Sequence, residues 1–127
     1  MIVVDTSALM AVLLAESESE GCISALESED RLLISAGTVV EALIVAGRRH
    51  IGDEMFRLID GLGFDVISVT KASALRVAEA YERWGKGVHP AGLNFGDCFA
   101  YELAREQSCR LLFVGDDFSR TDIEGVL

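Results

Sequence analysis

The chain alternates between short apolar runs that suit strands and longer stretches with helical periodicity. Residues 1–5, MIVVD, are an apolar run closed by an acid, which reads as a short buried strand. A first helix follows over residues 8 to about 16, with Thr6-Ser7 ahead of it as N-cap chemistry. Residues 19–27 read as an acidic second helix, 31–35 (RLLIS) as a second strand, and 36–49 as a long helix that stays apolar until Gly47. A further helix covers 53–62, and 64–69 (FDVISV) alternates as a third strand. Thr70 can cap a helix reaching about Trp84, in which Glu79 and Arg83 have the i, i+4 spacing of an ion pair. Residues 85–93, GKGVHPAGL, are the one clear loop, and the next helix starts at NFGD. A fourth strand lies over 110–114 (RLLFV), a turn at Gly115-Asp116-Asp117, and an edge strand over 123–127. Strands alternating with helices predict an α/β domain of three layers, α/β/α, around a mainly parallel central sheet. There is no repeat or linker, so residues 1–127 are expected to be a single domain.

Composition narrows the chemistry. Eleven Lys and Arg against twenty-one Asp and Glu give a net charge of −10, the wrong sign for binding nucleic acid through a broad basic surface. The charge is uneven: residues 1–30 hold seven acids and no Lys or Arg, whereas 48–86 hold seven of the eleven basic residues with six acids. Cys22, Cys98 and Cys109 fit neither a disulfide framework nor a zinc spacing, and are expected to be reduced thiols of a cytoplasmic protein. No apolar run is long enough to span a membrane, and no basic stretch precedes residues 8–15 as a signal peptide requires.

The acids fall in unusual places. Ligands of open α/β sheets bind beyond the carboxyl ends of the strands. Asp5 closes the first strand, and Asp116 and Asp117 lie just past the fourth. Asp97 begins the helix that leads into strand four, which a usual crossover places at the same edge. Glu41 is the only charge between Ser35 and Gly47, in a helix apolar enough to read as buried. Each acid also has a plain structural reading. Asn94-x-x-Asp97 and Thr38-x-x-Glu41 have capping-box spacing, Asp5 can cap the first helix, and Asp116-Asp117 suit a turn. Their gathering favours a shared site. Clustered carboxylates raise one another's pKa, and a hard divalent cation with oxygen ligands relieves the repulsion.

Four stretches in order, VVDTSAL, the helix with Glu41, LNFGDCFAYELA and LLFVGDDFSRTDI, span nearly the whole chain. Together they resemble the PIN-domain ribonucleases, specifically the VapC toxins of VapBC toxin–antitoxin systems. KGVHPAGLNFGDCFAY is similar to one VapC subgroup. The resemblance implies a PIN-like fold and an endoribonuclease that uses Mg²⁺, for which Mn²⁺ can substitute. By position it implies that Asp5, Glu41 and Asp97 are catalytic and metal-binding, Asp5 and Asp97 directly and Glu41 through water or by orienting the attacking one. Family members vary between Asn and Asp at the position of Asp116, so Asp117 is the fourth acid of choice and Asp116 the second. Ser7 matches a small hydroxyl residue beside the metal. On the Asp97 helix, Tyr101 and Ala104 share the acid's face, with Phe95, Phe99 and Leu103 as the neighbouring core stripe.

The resemblance also implies a homodimer, an RNA substrate and a VapB-like antitoxin, with DNA reached only through that antitoxin and no membrane partner. Arg48, Arg49, Lys86 and Arg120 could line an approach for RNA. A haloacid-dehalogenase-like phosphatase needs an acid where Ser7 stands. A response-regulator receiver needs an acid after strand three, where the chain reads SVT, and a later Lys, and none follows Lys86. The alternatives of weight are a non-catalytic toxin-fold module that binds RNA or regulates its operon, and a DNA-cleaving PIN nuclease.

Overall fold

Ile2, Val3 and Val4 have no solvent exposure because β1 (Ile2–Val4) is an inner strand, covered on both faces. The computed structural model describes all residues, Met1–Leu127. β1 pairs on one side with β2 (Leu32–Ser35) and on the other with β4 (Arg110–Leu112), while β3 (Asp65–Ile67) pairs with β2 at the far edge. Every pairing is parallel, and the order is β3-β2-β1-β4. The third strand is shorter than its alternating pattern predicts. Residues 123–127 supply only an isolated bridge from Gly125 to Leu111 in place of an edge strand.

Two helices cross between each successive pair of strands. They are α1 (Thr6–Leu13) and α2 (Ser19–Ser28), then α3 (Ala36–Arg48) and α4 (Gly52–Gly61), then α5 (Lys71–Trp84) and α6 (Phe95–Gln107). The strand pleat divides the core. Ile2, Val4, Leu32, Ile34 and Leu112 face a cluster with Leu9, Ala42 and Met55 of the first four helices. Val3, Leu33 and Leu111 face a second cluster with Val77, Trp84, Cys98 and Leu103 of α5 and α6. The result is an α/β/α sandwich. Its three thiols are free, and no helix is long and apolar enough to cross a membrane.

Local chemistry settles five expectations. Of the two caps the sequence offers for α1, the one used is Asp5 rather than Thr6-Ser7, because its carboxylate accepts the Ser7 N–H, and the helix begins at Thr6 rather than Ala8. α3 is capped by Ser35 through Gly37 N–H, so Glu41 does not close a box with Thr38. Nor is α3 buried all round, since Val40 and Ile44 are each 57% exposed. Phe95 is likewise outside the core, at 72% exposure. Arg83 turns away from Glu79 to stack over Trp84, 4.6 Å from the ring, and approaches Asp122 at 3.8 Å.

Candidate active site

The sheet order reverses between β1 and β4, because the chain steps outward from β1 to β2 to β3 and then returns to the other side of β1. Such a switch point leaves a crevice at the carboxyl ends of the two strands. A cleft of about 230 Å³ lies there, and Asp5, Ser7, Glu41, Asn94, Asp97 and Asp117 are among its walls.

Asp5 leaves the end of β1 and is buried. Its Oδ2 accepts the N–H of Ser7 at 3.0 Å and the hydroxyl of Ser7 at 2.7 Å. The same Ser7 Oγ accepts the Val114 N–H at 3.0 Å, so one hydroxyl ties the first acid to the end of β4. Asp5 Oδ1 is buried with no hydrogen-bond partner. Burial pushes the Asp5 pKa up to about 6 against the opposing Ser7 bonds, and the charge of Glu41 adds to the rise.

Glu41 projects from α3 and is half-buried. The Thr6 hydroxyl donates to its Oε1 at 2.6 Å. Behind it, the backbone of Gly96 comes so close that a methyl group there would overlap the carboxylate.

Asp97 sits at the third position of α6. Asn94 Oδ1 accepts the Asp97 N–H at 2.8 Å, and Asp97 Oδ2 accepts the Asn94 N–H at 2.9 Å, a complete capping box. The helix-starting role and the site role therefore coexist in one carboxylate. Burial raises the Asp97 pKa to about 7; the Asn94 bond works against this, and the charges of Asp5, Asp117 and Glu41 reinforce it. Asp117 is exposed and precedes a single turn of 3₁₀ helix, η1 (Phe118–Arg120), whose buried Phe118 anchors it. Asp117 lines the cleft; Asp116 is exposed outside it and uses its carbonyl to accept the Ser119 hydroxyl.

The sequence thus has Asp5, Ser7, Glu41, Asp97 and Asp117 meeting in one cleft. It gave no role there to Thr6, Asn94 or Gly96. Residue type makes Thr6 a cap and spacing makes Asn94 the start of a box, and Gly96 carries the one available signal, a glycine inside a helix start beside an acid.

No three His, Cys, Asp or Glu side chains are positioned to hold a metal ion among themselves. The donor set nevertheless fits a hard cation. It is all oxygen, it includes a buried carboxylate oxygen with no other partner, and neighbouring acids help to raise the pKa of Asp5 and of Asp97. Mg²⁺ keeps several waters and takes only one or two direct carboxylates, so a cage of three touching acids is not required.

Comparison with known proteins places this geometry. The PIN domain family model matches residues 2–124. VapC ribonuclease Mb0640 of Mycobacterium bovis is 39% identical over 127 residues, covering 98% of this chain and 97% of that protein. The crystal structure of Mycobacterium tuberculosis VapC20, a sarcin–ricin-loop-cleaving toxin, superposes with a TM-score of 0.80 at 19% identity, over 99% of this chain and 98% of the other. VapBC2 from Rickettsia felis, bound to a DNA fragment from its promoter, gives 0.69 at 15% identity, over 98% and 96%.

Proposed function

This chain belongs to the PIN-domain family and is a VapC ribonuclease of a toxin–antitoxin system, and we propose that it cleaves RNA phosphodiesters with Mg²⁺ or Mn²⁺ held by Asp5 and Asp97. Residues 1–127 act as a single PIN domain in this reading. The observation that carries the site assignment is the unpartnered, buried Asp5 Oδ1, in a cleft shared with Asp97, Glu41 and Asp117.

The bound ion supplies Lewis acidity toward a phosphate oxygen and lowers the pKa of a water. The chain's own residues do the rest. Ser7 fixes the rotation of the Asp5 carboxylate, so that Oδ2 is occupied and Oδ1 is left for the ion. The capping box does the same for Asp97, engaging one oxygen through Asn94 N–H. Thr6 holds Glu41 Oε1, and the other oxygen can orient the attacking water and receive its proton. Asp117, the solvent-facing acid, completes the negative field that draws the cation in.

A second copy covers the exposed apolar face in this proposal. Phe95 packs edge-on against Phe99 with 5.1 Å between ring centres, and Phe99 lies against Gly37 on the stripe that carries Val40 and Ile44. An apolar groove of about 520 Å³ continues from there past Val77 and Tyr81. A surface of this character is what a stable homodimer buries. The partner in the operon is a VapB-like antitoxin, which places a basic side chain near the acids and carries the DNA contact that this acidic chain lacks.

The test is to incubate the purified protein with total RNA and with DNA, in Mg²⁺, Mn²⁺ or EDTA, and to map the new ends. Defined RNA cuts that need the metal are expected. Binding without cuts would make the chain a non-catalytic module, and cuts in DNA alone would make it a deoxyribonuclease.

A further inference from the structure

Most of the eleven basic side chains are neutralised within the chain. Arg31, Arg57, Arg76, Arg83, Arg105 and Arg110 each have a carboxylate oxygen at 2.7 to 3.8 Å. Arg48, Arg49, Lys71, Lys86 and Arg120 have none. Of these five, Arg120 alone has its charged group held by a hydrogen bond: its Nη1 donates to the Pro90 carbonyl at 3.3 Å.

That choice of acceptor is unusual for its surroundings. Asp116, Asp117, Asp122 and Glu124 all lie within four residues of Arg120, and it pairs with none of them. A neutral carbonyl fixes the guanidinium and leaves its positive charge uncompensated, with most of its five N–H donors still free. Its position relative to the site follows from the turn it ends. A 3₁₀ helix has three residues per turn, so residues three apart stand in line, about 6 Å apart along the axis. Asp117 and Arg120 are such a pair, and Asp117 lines the cleft.

Both supports are stiff. Phe118 is buried and packs on Phe113, 5.1 Å between ring centres, and the Thr121 hydroxyl closes the turn on the Phe118 carbonyl at 2.6 Å. Opposite, the 85–93 loop is closed by Lys86 N–H to Leu93 carbonyl at 2.9 Å and Leu93 N–H to Trp84 carbonyl at 3.0 Å. Gly87 and Gly92, at φ of 86° and 62°, make its reversals. Lys86, also without an acid partner, rides on this loop.

We propose that Arg120 is a substrate-binding residue, its guanidinium taking an RNA phosphate next to the one that is cut. The proposal rests on the ribonuclease reading of the same cleft. The planar fork suits phosphate better than a point charge would, and an acidic surface around it limits binding to backbones that reach this spot.

The experiment is steady-state cleavage of a labelled oligonucleotide spanning a site first mapped with the wild type, in Mn²⁺, across a salt series. Arg120→Ala is expected to raise KM about tenfold with kcat within about threefold. It should also flatten the plot of log(kcat/KM) against log salt by about 0.7, the contribution of one phosphate contact on a single strand. Arg120→Lys should recover the salt slope and only part of KM. Arg57→Ala, whose arginine is already paired with Glu54, should match the wild type. An Arg120→Ala enzyme with unchanged KM and salt slope overturns the proposal, as does a loss confined to kcat and melting temperature, which marks Arg120 as a brace. A wild type that cuts no RNA overturns the ribonuclease reading itself.

Discussion

Gly96 lies against the carboxylate of Glu41 with no room for a methyl group between them. The obstructed atoms are the far end of a flexible side chain, so Gly96→Ala should displace Glu41 without breaking the fold. Alanine is also the better helix former, by about 1 kcal/mol. The expected variant melts within a few degrees of the wild type and loses at least about tenfold in kcat/KM. Full activity in Gly96→Ala would remove Glu41 from the reaction.

Asp97 makes the metal-free protein sensitive to pH. Its folded pKa, about 7, stands above the ordinary 3.8, so the folded state binds this proton more tightly than the unfolded chain. Its contribution is therefore fully favourable below about pH 4, declines as pH rises, and is lost above about pH 7. Asp5, raised to about 6, acts in the same direction. Asp97→Asn keeps an oxygen to accept the Asn94 N–H and removes the charge. It should melt above the metal-free wild type at pH 8, by about 1 kcal/mol, with the advantage shrinking toward pH 4. Thermal melts across that range decide the point; a variant less stable at every pH would show that the cap outweighs the repulsion.

Metal should reverse the order. An ion that binds only the folded site adds about 2.7 kcal/mol at a hundredfold excess over its Kd. Mn²⁺ is therefore expected to raise the melting temperature of the wild type by several degrees and that of Asp97→Asn much less, with no cleavage by the variant. Identical metal responses in the two proteins would sink the assignment of Asp97 as a ligand.

The apolar face gives a test of assembly. Phe95, 72% exposed, is central to it and contributes little to the monomer's own core. Phe95→Glu should leave the melting of the monomer nearly unchanged while desolvation of the new charge blocks association. Light scattering should report a dimer for the wild type and 13.7 kDa for the variant. A wild type that is monomeric across micromolar concentrations excludes the homodimer.

Much of this was legible in the sequence because the signals were local. β1 and β2 are apolar runs buried on both faces, Thr70 caps its helix as its residue type predicts, and Asn94 starts the next through a box that the residue spacing predicts. What failed depended on partners distant in the chain. Periodicity cannot tell an apolar helix face turned to the core from one turned to solvent, so it places Val40, Ile44 and Phe95 in the interior, whereas all three are exposed. Residues 123–127 have strand-like composition but meet β4 at only one bridge. The links from Thr6 to Glu41, across 35 residues, and from Ser7 to Val114, across 107, leave no trace in residue spacing.

The sheet order also sets when this cleft can exist. β1 is made well before β4, yet β4 is its neighbour on the site side, with Ile2 opposite Arg110. Asp5 is made before Asp97, Val114 and Asp117, the residues it meets in the cleft or is tied to through Ser7. A chain interrupted before residue 110 can pair β1 with β2 but has no second wall for the cleft. The order of synthesis thus puts completion of the cleft after that of the other three strands.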